Sequence, residues 1–181
     1  MKTIALFRGI NVGGKSTIQM SALRAIFSEL GCKNVLTYIQ SGNVIFDPPE
    51  ISADALVDQI QQIIKSEFGI NPFILMLNVQ DIEKAIMNNP FPQAADTPQS
   101  LHHGFLASIP PMPDLTRLEK LRSETEQFRL NGNVFYLFAP GGVGRSKLAA
   151  GAEQALGVSM TDRNWRTVSK ILEIAQMGGS K

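Results

Sequence analysis

A Gly-Asn-Val tripeptide occurs twice in this chain of 181 residues, each time at a predicted tight turn. The first copy lies in Gln40–Phe46 (QSGNVIF) and the second in Leu130–Tyr136 (LNGNVFY). Ser-Gly and Asn-Gly pairs favour the turn of a β-hairpin. Strands and helices are predicted in a similar order around both hairpins. A repeated supersecondary unit of this kind predicts two halves that share one fold.

Apolar periodicity in the first half predicts the order β-α-β-β-α-β, with a further short helix. The predicted strands are Thr3–Phe7, Val35–Ile39, Asn43–Phe46 and Phe73–Leu77. One helix begins near Ser21, a second is capped by Ser52 and closed by Gly69, and the third spans Asp81–Met87. This order is the split βαβ, or ferredoxin-like, unit.

The pattern restarts after a segment rich in Pro, Asn and Ser, residues 88–100 (NNPFPQAADTPQS). The predicted elements are strands at Gly104–Ser108, Gln127–Leu130 and Asn133–Ala139, a helix capped by Asp114, and helices at Ser146–Leu156 and Asn164–Gln176. Thr161 is predicted to cap the last helix, which puts Arg163 and Asn164 in its first turn. We therefore predict an α+β fold of two tandem ferredoxin-like halves with antiparallel sheets, at residues 1–90 and 101–181, joined by a linker at 91–100.

Composition excludes several classes of protein. With 44% apolar residues, the chain can bury a core and is unlike a disordered protein. Its single cysteine, Cys32, excludes an intramolecular disulfide and a multi-cysteine zinc site. The two histidines are adjacent, so no metal site or cofactor is predicted. No apolar stretch is long enough for a signal peptide or a membrane span, which indicates a reducing cytoplasm. The oligomeric state stays open.

The near balance of 17 basic and 16 acidic residues hides an uneven distribution. Counting Lys and Arg against Asp and Glu gives +4 for residues 1–46, −7 for residues 47–126 and +4 for residues 127–181. Basic ends around an acidic middle can form an anion-binding face.

The first candidate site is the loop Gly9–Ser16 (GINVGGKS), which matches the P-loop pattern G-x-x-x-x-G-K-[ST] and follows a strand. A true P-loop needs a helix directly after it and a parallel sheet, whereas the Ser41-Gly42 hairpin makes the next strands antiparallel. Asp47 resembles a Walker-B aspartate by position only. The alternatives are a plain glycine turn and an anion loop, in which backbone N–H groups at Gly13 and Gly14, with Asn11, lie between Arg8 and Lys15.

Two further segments suit an anion. The loop Pro140–Lys147 (PGGVGRSK) joins a strand directly to a helix, with Arg145 and Lys147 beside the helix N-terminus; the alternative is a solvated turn. Arg163 in the first turn of the last helix would oppose the helix dipole, which indicates an acidic partner, either a ligand or a side chain such as Asp162.

Other distinctive residues have structural interpretations. Trp165 has helical spacing with apolar neighbours, which favours core packing over stacking on a ligand ring. His102 and His103 are predicted to point to opposite faces of a strand and to be surface or packing residues rather than catalytic ones. Cys32 follows a helix end without a basic cluster, which favours a structural or surface thiol over a nucleophile.

Taken together, these segments resemble a known family. The stretches Leu6–Lys15 (LFRGINVGGK), Tyr38–Val44 (YIQSGNV), Gly144–Lys147 (GRSK) and Arg163–Thr167 (RNWRT) are similar to the mainly bacterial domain of unknown function 1697. The resemblance implies a duplicated ferredoxin-like fold in a soluble protein, without an established activity, substrate or cofactor. The family commonly has another residue in place of Ser16, which argues against a functional P-loop.

The leading hypothesis is that one basic cleft between the halves binds an anionic ligand, either a nucleotide or a phosphorylated small molecule. Its ligand-binding residues would be Arg8, Asn11, Gly13, Gly14, Lys15, Arg145, Lys147, Arg163 and Asn164. The alternative is an RRM-like module that stacks single-stranded nucleic acid on Tyr38, Phe46, Phe135 and Tyr136. A P-loop kinase or nucleoside triphosphatase is the third possibility. Whether the protein is an enzyme stays open.

Overall fold

The computed structural model describes residues 2–13 and 17–177, and these form two four-stranded antiparallel sheets with helices. The chain divides into two compact units. The first unit comprises Met1–Glu83 and Ile171–Lys181, and the second comprises Lys84–Lys170. Among the described residues, no helix has the length and apolar character that crossing a membrane requires.

The first unit contains the predicted β-α-β-β-α-β order. Its elements are β1 (Thr3–Arg8), α1 (Met20–Glu29), β2 (Lys33–Tyr38), β3 (Asn43–Asp47), α2 (Ala53–Phe68) and β4 (Phe73–Asn78). Helix α3 (Val79–Met87) follows directly and crosses the division between the units. Ser52 caps α2 by accepting a hydrogen bond from the Ala55 N–H, at 3.2 Å from nitrogen to oxygen. Gly69 ends the helix in a left-handed conformation, as its sequence position predicts.

The second unit repeats this order. Its elements are β5 (Leu101–Leu106), α4 (Leu115–Leu121), β6 (Gln127–Asn131), β7 (Val134–Phe138), α5 (Lys147–Leu156) and β8 (Met160–Asn164). The last helix, α6 (Trp165–Met177), crosses back into the first unit. Short 3-10 turns lie at Pro92–Asp96, within the predicted linker, and at Val143–Arg145.

The two sheets have the same topology. The strand order is β2-β3-β1-β4 in the first and β6-β7-β5-β8 in the second, with every neighbouring pair antiparallel. In both sheets the first strand of the repeat lies between the third and the fourth. This is the ferredoxin-like arrangement. The predicted α+β fold with internal duplication is therefore confirmed.

An apolar core holds α1 and α2 on one face of the first sheet. The Phe27 ring packs edge-on against Phe46 and Phe7, with ring centroids 4.9 and 6.2 Å apart. Cys32 is buried in the same core, and this burial raises the pKa of its thiol to about 11. The thiol is therefore protonated at neutral pH and is a poor nucleophile.

Both faces of the second sheet are buried. On one face, Phe135 and Leu137 pack against Leu118 of α4 and Leu148 of α5. On the other face, His103, Phe105 and Tyr136 are almost completely enclosed. The Tyr136 hydroxyl donates a hydrogen bond to the Ala85 carbonyl at 2.9 Å, and burial raises the pKa of this tyrosine to about 12. The aromatic surface that an RRM-like module would offer to bases is thus unavailable on this unit.

The structure corrects one sequence prediction, because Thr161 does not cap the last helix. Residues 160–164 form β8, an edge strand paired with β5, with Thr161 opposite Phe105 and Arg163 opposite His103. Helix α6 begins only at Trp165, and the Asn164 side chain caps it by accepting the Thr167 N–H at 2.9 Å. The sequence MTDRN lacks apolar alternation, so its burial within a strand was not predicted.

Candidate functional site

The second glycine loop, which joins β7 to α5, is the best-formed candidate site. Gly142 has a φ of +81°, a backbone conformation that favours glycine, and leads into the 3-10 turn that ends at Arg145. Ser146 then caps α5, its hydroxyl oxygen accepting the Ala149 N–H at 2.9 Å. The loop thus leads directly into a helix N-terminus, as predicted from the sequence. Such an N-terminus carries a partial positive charge.

A cleft of about 410 Å³ opens beside this loop. Four basic side chains line it, two from the loop and two from the end of α4 and the residue after it: Arg145, Lys147, Lys120 and Arg122. The hairpin explains why these segments meet. Because Gln127 of β6 pairs with Phe138 of β7, the residues before β6 lie beside the residues after β7.

One carboxylate, that of Glu126, faces the four cations. Glu126 is only 5% exposed and accepts the Ser123 N–H at 2.9 Å. Desolvation raises the pKa of this carboxyl, but hydrogen bonds from Ser123 and Ser146 and the charge of Arg122 outweigh it. The pKa of Glu126 therefore lies below its usual value, and the side chain is ionised at neutral pH.

The four cations have different partners. Arg122 donates from Nε to Glu119 at 2.8 Å and from Nη1 to the Glu126 carbonyl at 3.0 Å, so it is engaged within the protein. In the described part of the chain, Lys120, Arg145 and Lys147 form neither an ion pair nor a side-chain hydrogen bond. The cleft thus combines a helix N-terminus with three cations that, among the described residues, form no ion pair.

Arg163 and Asn164 do not line this cleft. Arg163 is 8% exposed on β8 and donates from Nη1 to the Thr161 hydroxyl at 3.0 Å and to the Asp162 carbonyl at 2.7 Å. Desolvation lowers the pKa of Arg163 to about 10, and the nearby Asp162 charge opposes this shift. The guanidinium therefore stays charged at neutral pH.

His102 and Asp162 form a close pair across β5 and β8. The His102 Nδ1–H donates to the Asp162 Oδ2 at 2.6 Å, and its Nε2–H donates to the Gln99 carbonyl at 3.1 Å. Because both partners are acceptors, both ring nitrogens carry hydrogen and the ring is an imidazolium. Desolvation lowers the pKa of His102, but Asp162 and Gln99 raise it by more, so it lies above its usual value. The ion pair between these side chains was not predicted from the sequence.

The first glycine loop belongs to the first unit, and its Asn11 side chain is engaged within that unit. The Asn11 amide donates to the carbonyls of Ile18 and Gln40, at 3.0 and 2.7 Å, and accepts the Ile18 N–H at 2.8 Å. The Arg8 guanidinium carbon lies 5.2 Å from the centre of the Phe73 ring. Gly13 is exposed with a φ of +65°. Gly14, Lys15 and Ser16 lie outside the described residues.

The P-loop interpretation lacks its structural context. Helix α1 begins at Met20, four residues after the Lys-Ser pair, and the sheet is antiparallel throughout. Asp47, the Walker-B-like aspartate, accepts a hydrogen bond from the Asn34 side chain at 2.6 Å. The late start of α1 and the antiparallel sheet both differ from the strand–loop–helix arrangement that a P-loop requires.

The structure brings together two of the predicted site residues, Arg145 and Lys147, and adds Lys120, Arg122 and Glu126. The sequence motifs missed these three because they lie at the end of an ordinary helix or just after it, in a net acidic segment. The predicted hairpin register carried the signal that could have found them. Among the described residues, no group of His, Cys, Asp and Glu side chains could hold a metal ion.

Comparisons with known proteins agree with the fold. The model of a family described as "Protein of unknown function (DUF1697)" matches residues 1–136, which confirms the resemblance drawn from the sequence. A solved structure, described as that of conserved bacterial protein SP0830 from Streptococcus pneumoniae, is 22% identical with a TM-score of 0.65. The match covers 96% of this chain and 98% of that one. At this identity it shows the fold alone. No curated protein matches the sequence significantly.

Proposed function

This chain belongs to the DUF1697 family, and we propose that it binds the phosphate or carboxylate group of a small molecule in the basic cleft of its second unit. The observation that carries the proposal is that Lys120, Arg145 and Lys147 line one cleft at the α5 N-terminus and, among the described residues, form no ion pair. Like charges at close range repel one another, and an anion between them would relieve this repulsion.

The side chains suit an oxyanion in complementary ways. The guanidinium of Arg145 can donate two parallel hydrogen bonds to one phosphate, whereas Lys120 and Lys147 act as point charges. Lys147 is also the first residue of α5, where the partial charge of the helix favours an anion. We therefore expect the anionic group to lie between Arg145 and Lys147.

Glu126 restricts where the anion can bind. Its ionised carboxylate takes hydrogen bonds from Ser123 and Ser146 and lines the same cleft. A bound anion would be repelled by this carboxylate and attracted to the three cations. Because its pKa is low, Glu126 is a weak proton acceptor at neutral pH, so the cleft suits binding and charge stabilisation better than acid–base catalysis.

Isothermal titration with inorganic phosphate, pyrophosphate and ribose phosphate tests the proposal. We expect Arg145→Ala and Lys147→Ala each to weaken binding roughly ten-fold, since hydrogen bonds to charged groups contribute about 1.5–3 kcal/mol. The matched control is Arg129→Ala, which removes one positive charge from an exposed strand position outside the cleft. Equal affinities for all three variants would overturn the proposal.

The same titration separates a small anion from nucleic acid. A short mixed oligonucleotide should bind less tightly than pyrophosphate, because Phe46, Phe135 and Tyr136 are at most 2% exposed and cannot stack on bases. Tight oligonucleotide binding that weakens steeply with salt would favour the nucleic-acid alternative instead.

A further inference from the structure

A second cavity of about 290 Å³ lies beside the basic cleft in the same unit. The two share Ser146, and the glycine loop forms part of the wall of each: Gly141 and Gly142 line the cleft, while Val143 and Gly144 line the cavity. Most of the remaining lining is apolar, with Phe135, Leu137 and Met160 among it. A polar and an apolar compartment thus border the same loop.

Asp162 is the one ionised group among the residues that line this cavity. Its Oδ2 accepts the hydrogen bond from His102, and its side chain remains 42% exposed. Its Oδ1 forms no hydrogen bond within the described part of the chain. Because His102 is fixed by its second hydrogen bond to the Gln99 carbonyl, the carboxylate is held in one orientation. The apolar cavity thus presents an oriented acceptor to any group inside it.

The two compartments have complementary chemical demands. The cleft attracts an anion, the cavity favours a flat or apolar body, and Asp162 requires N–H donors at the edge of that body. A nucleotide meets all three requirements, since a base is apolar on its faces and polar at its edge. The volume of the cavity alone is slightly below the ~300–1,000 Å³ typical of small-molecule sites, whereas the two compartments together lie well within that range.

We propose that the ligand is a guanine nucleotide, with its phosphate between Arg145 and Lys147 and its base in the apolar cavity against Asp162. This inference rests on the proposed anion site. Guanine presents two adjacent N–H donors on one edge, which match the two oxygens of a carboxylate. Adenine presents a ring acceptor beside its amino group, and that acceptor would be repelled by the ionised Asp162.

The two glycines provide variants that should fold. Neither Gly141 nor Gly144 has a positive φ, and a Cβ at either position would meet no atom within 4 Å. Gly144→Leu therefore adds bulk at the apolar cavity, and Gly141→Leu adds it at the basic cleft. Asp162→Asn replaces one carboxylate oxygen with an NH2 donor, removes the negative charge and keeps the size of the side chain. Circular dichroism and thermal unfolding establish that each variant is folded.

Titration with guanosine monophosphate, adenosine monophosphate and ribose phosphate tests the inference. We expect the guanine nucleotide to bind about ten-fold more tightly than ribose phosphate. The adenine nucleotide should bind about as tightly as ribose phosphate. Asp162→Asn and Gly144→Leu should remove the advantage of guanine while the affinity for ribose phosphate stays the same. Gly141→Leu should weaken the binding of both guanosine monophosphate and ribose phosphate.

The outcomes distinguish the two proposals. If ribose phosphate binds in an Arg145-dependent manner but guanosine monophosphate binds no more tightly, the guanine inference is overturned and the anion site stands. An advantage of guanine that survives in both Asp162→Asn and Gly144→Leu overturns the inference as well. If neither compound binds, the anion site itself is refuted, and the inference falls with it.

Discussion

The imidazole of His103 is enclosed by other rings. The ring centroids of Tyr136 and Trp165 lie 5.2 and 5.6 Å away, and that of Phe105 lies at 6.2 Å. Within the described part of the chain, neither ring nitrogen has a hydrogen-bond partner. Burial lowers the pKa of His103 to about 4, with Asp162 raising it and His102 lowering it to a smaller extent. The side chain is therefore packed as a neutral ring.

This burial makes the free energy of unfolding depend on pH. The unfolded chain binds a proton at His103 below a pKa of about 6.5, whereas the folded protein does so only near 4. Stability from this residue is thus lost as the pH falls from 6.5 towards 4. Acidification from pH 7 to pH 5 should lower the free energy of unfolding, and we expect His103→Phe to remove about 2 kcal/mol of that decrease. The size follows because each pKa unit corresponds to about 1.4 kcal/mol. Urea unfolding at the two pH values measures it.

His102 provides a control of opposite sign. The pKa of His102 is raised in the folded state. Its contribution to stability is therefore present below the pKa of the unfolded chain and is lost as the pH rises through the pKa of the folded state. His102→Gln should therefore steepen the loss of stability on acidification. If His103→Phe and the unchanged protein respond alike to pH, His103 is accessible to protons in the folded state, against the structure.

Among the elements, the two repeated hairpins differ in how tightly their turns are packed. Gly42 and Gly132 occupy the same place in the repeat, and their φ values are +72° and +58°. A Cβ on Gly42 would lie 2.5 Å from Ile10 Cδ1 and 2.6 Å from Phe7 Cβ. A Cβ on Gly132 would meet nothing within 4 Å. The first turn is therefore enclosed by its own unit, and the second is open.

Alanine substitution at each turn measures this difference. Gly132→Ala should cost roughly 1–2 kcal/mol, the penalty for a left-handed alanine. Gly42→Ala carries the same penalty and a steric clash, which adds roughly 1–3 kcal/mol. Chemical denaturation should thus show that Gly42→Ala is the more destabilising. Equal losses would mean that Ile10 and Phe7 move aside without cost.

Sequence patterns predicted most elements because their signals are local. Ser52 and Asp114 cap helices as expected, and Gly69 ends one. Strand β8 was missed because it is held by its pairing with β5 and by the contact of Asp162 with His102, which lies 60 positions earlier in the chain. Such non-local satisfaction leaves no periodic pattern in the sequence.

At the scale of the whole molecule, the net charge of a segment did not predict local charge. Residues 47–126 carry a net charge of −7, yet this segment contributes Lys120 and Arg122 to the basic cleft. The antiparallel pairing of β6 with β7 places them beside Arg145 and Lys147 from a basic segment. The field at a site is thus determined by topology, and an average over sequence cannot represent it.

The sequence-based hypothesis of one cleft with residues from both glycine loops stays a prediction, and Arg8 tests it. In the first unit, the guanidinium of Arg8 lies over the Phe73 ring, a contact that contributes about 0.5–1 kcal/mol at an exposed position. If the anion site lies in the second unit alone, Arg8→Ala should lower the free energy of unfolding by about that amount and leave the phosphate affinity unchanged.

The comparison with Arg145→Ala makes this test decisive, because both variants remove one positive charge and lower the net charge of the protein equally. A long-range effect of net charge would weaken binding in both variants and would fade as salt shortens the screening length. A direct contact would weaken binding in one variant and would persist in salt. Loss of affinity in Arg8→Ala that persists at high salt would place residues of the first loop at the ligand, as the sequence-based hypothesis holds.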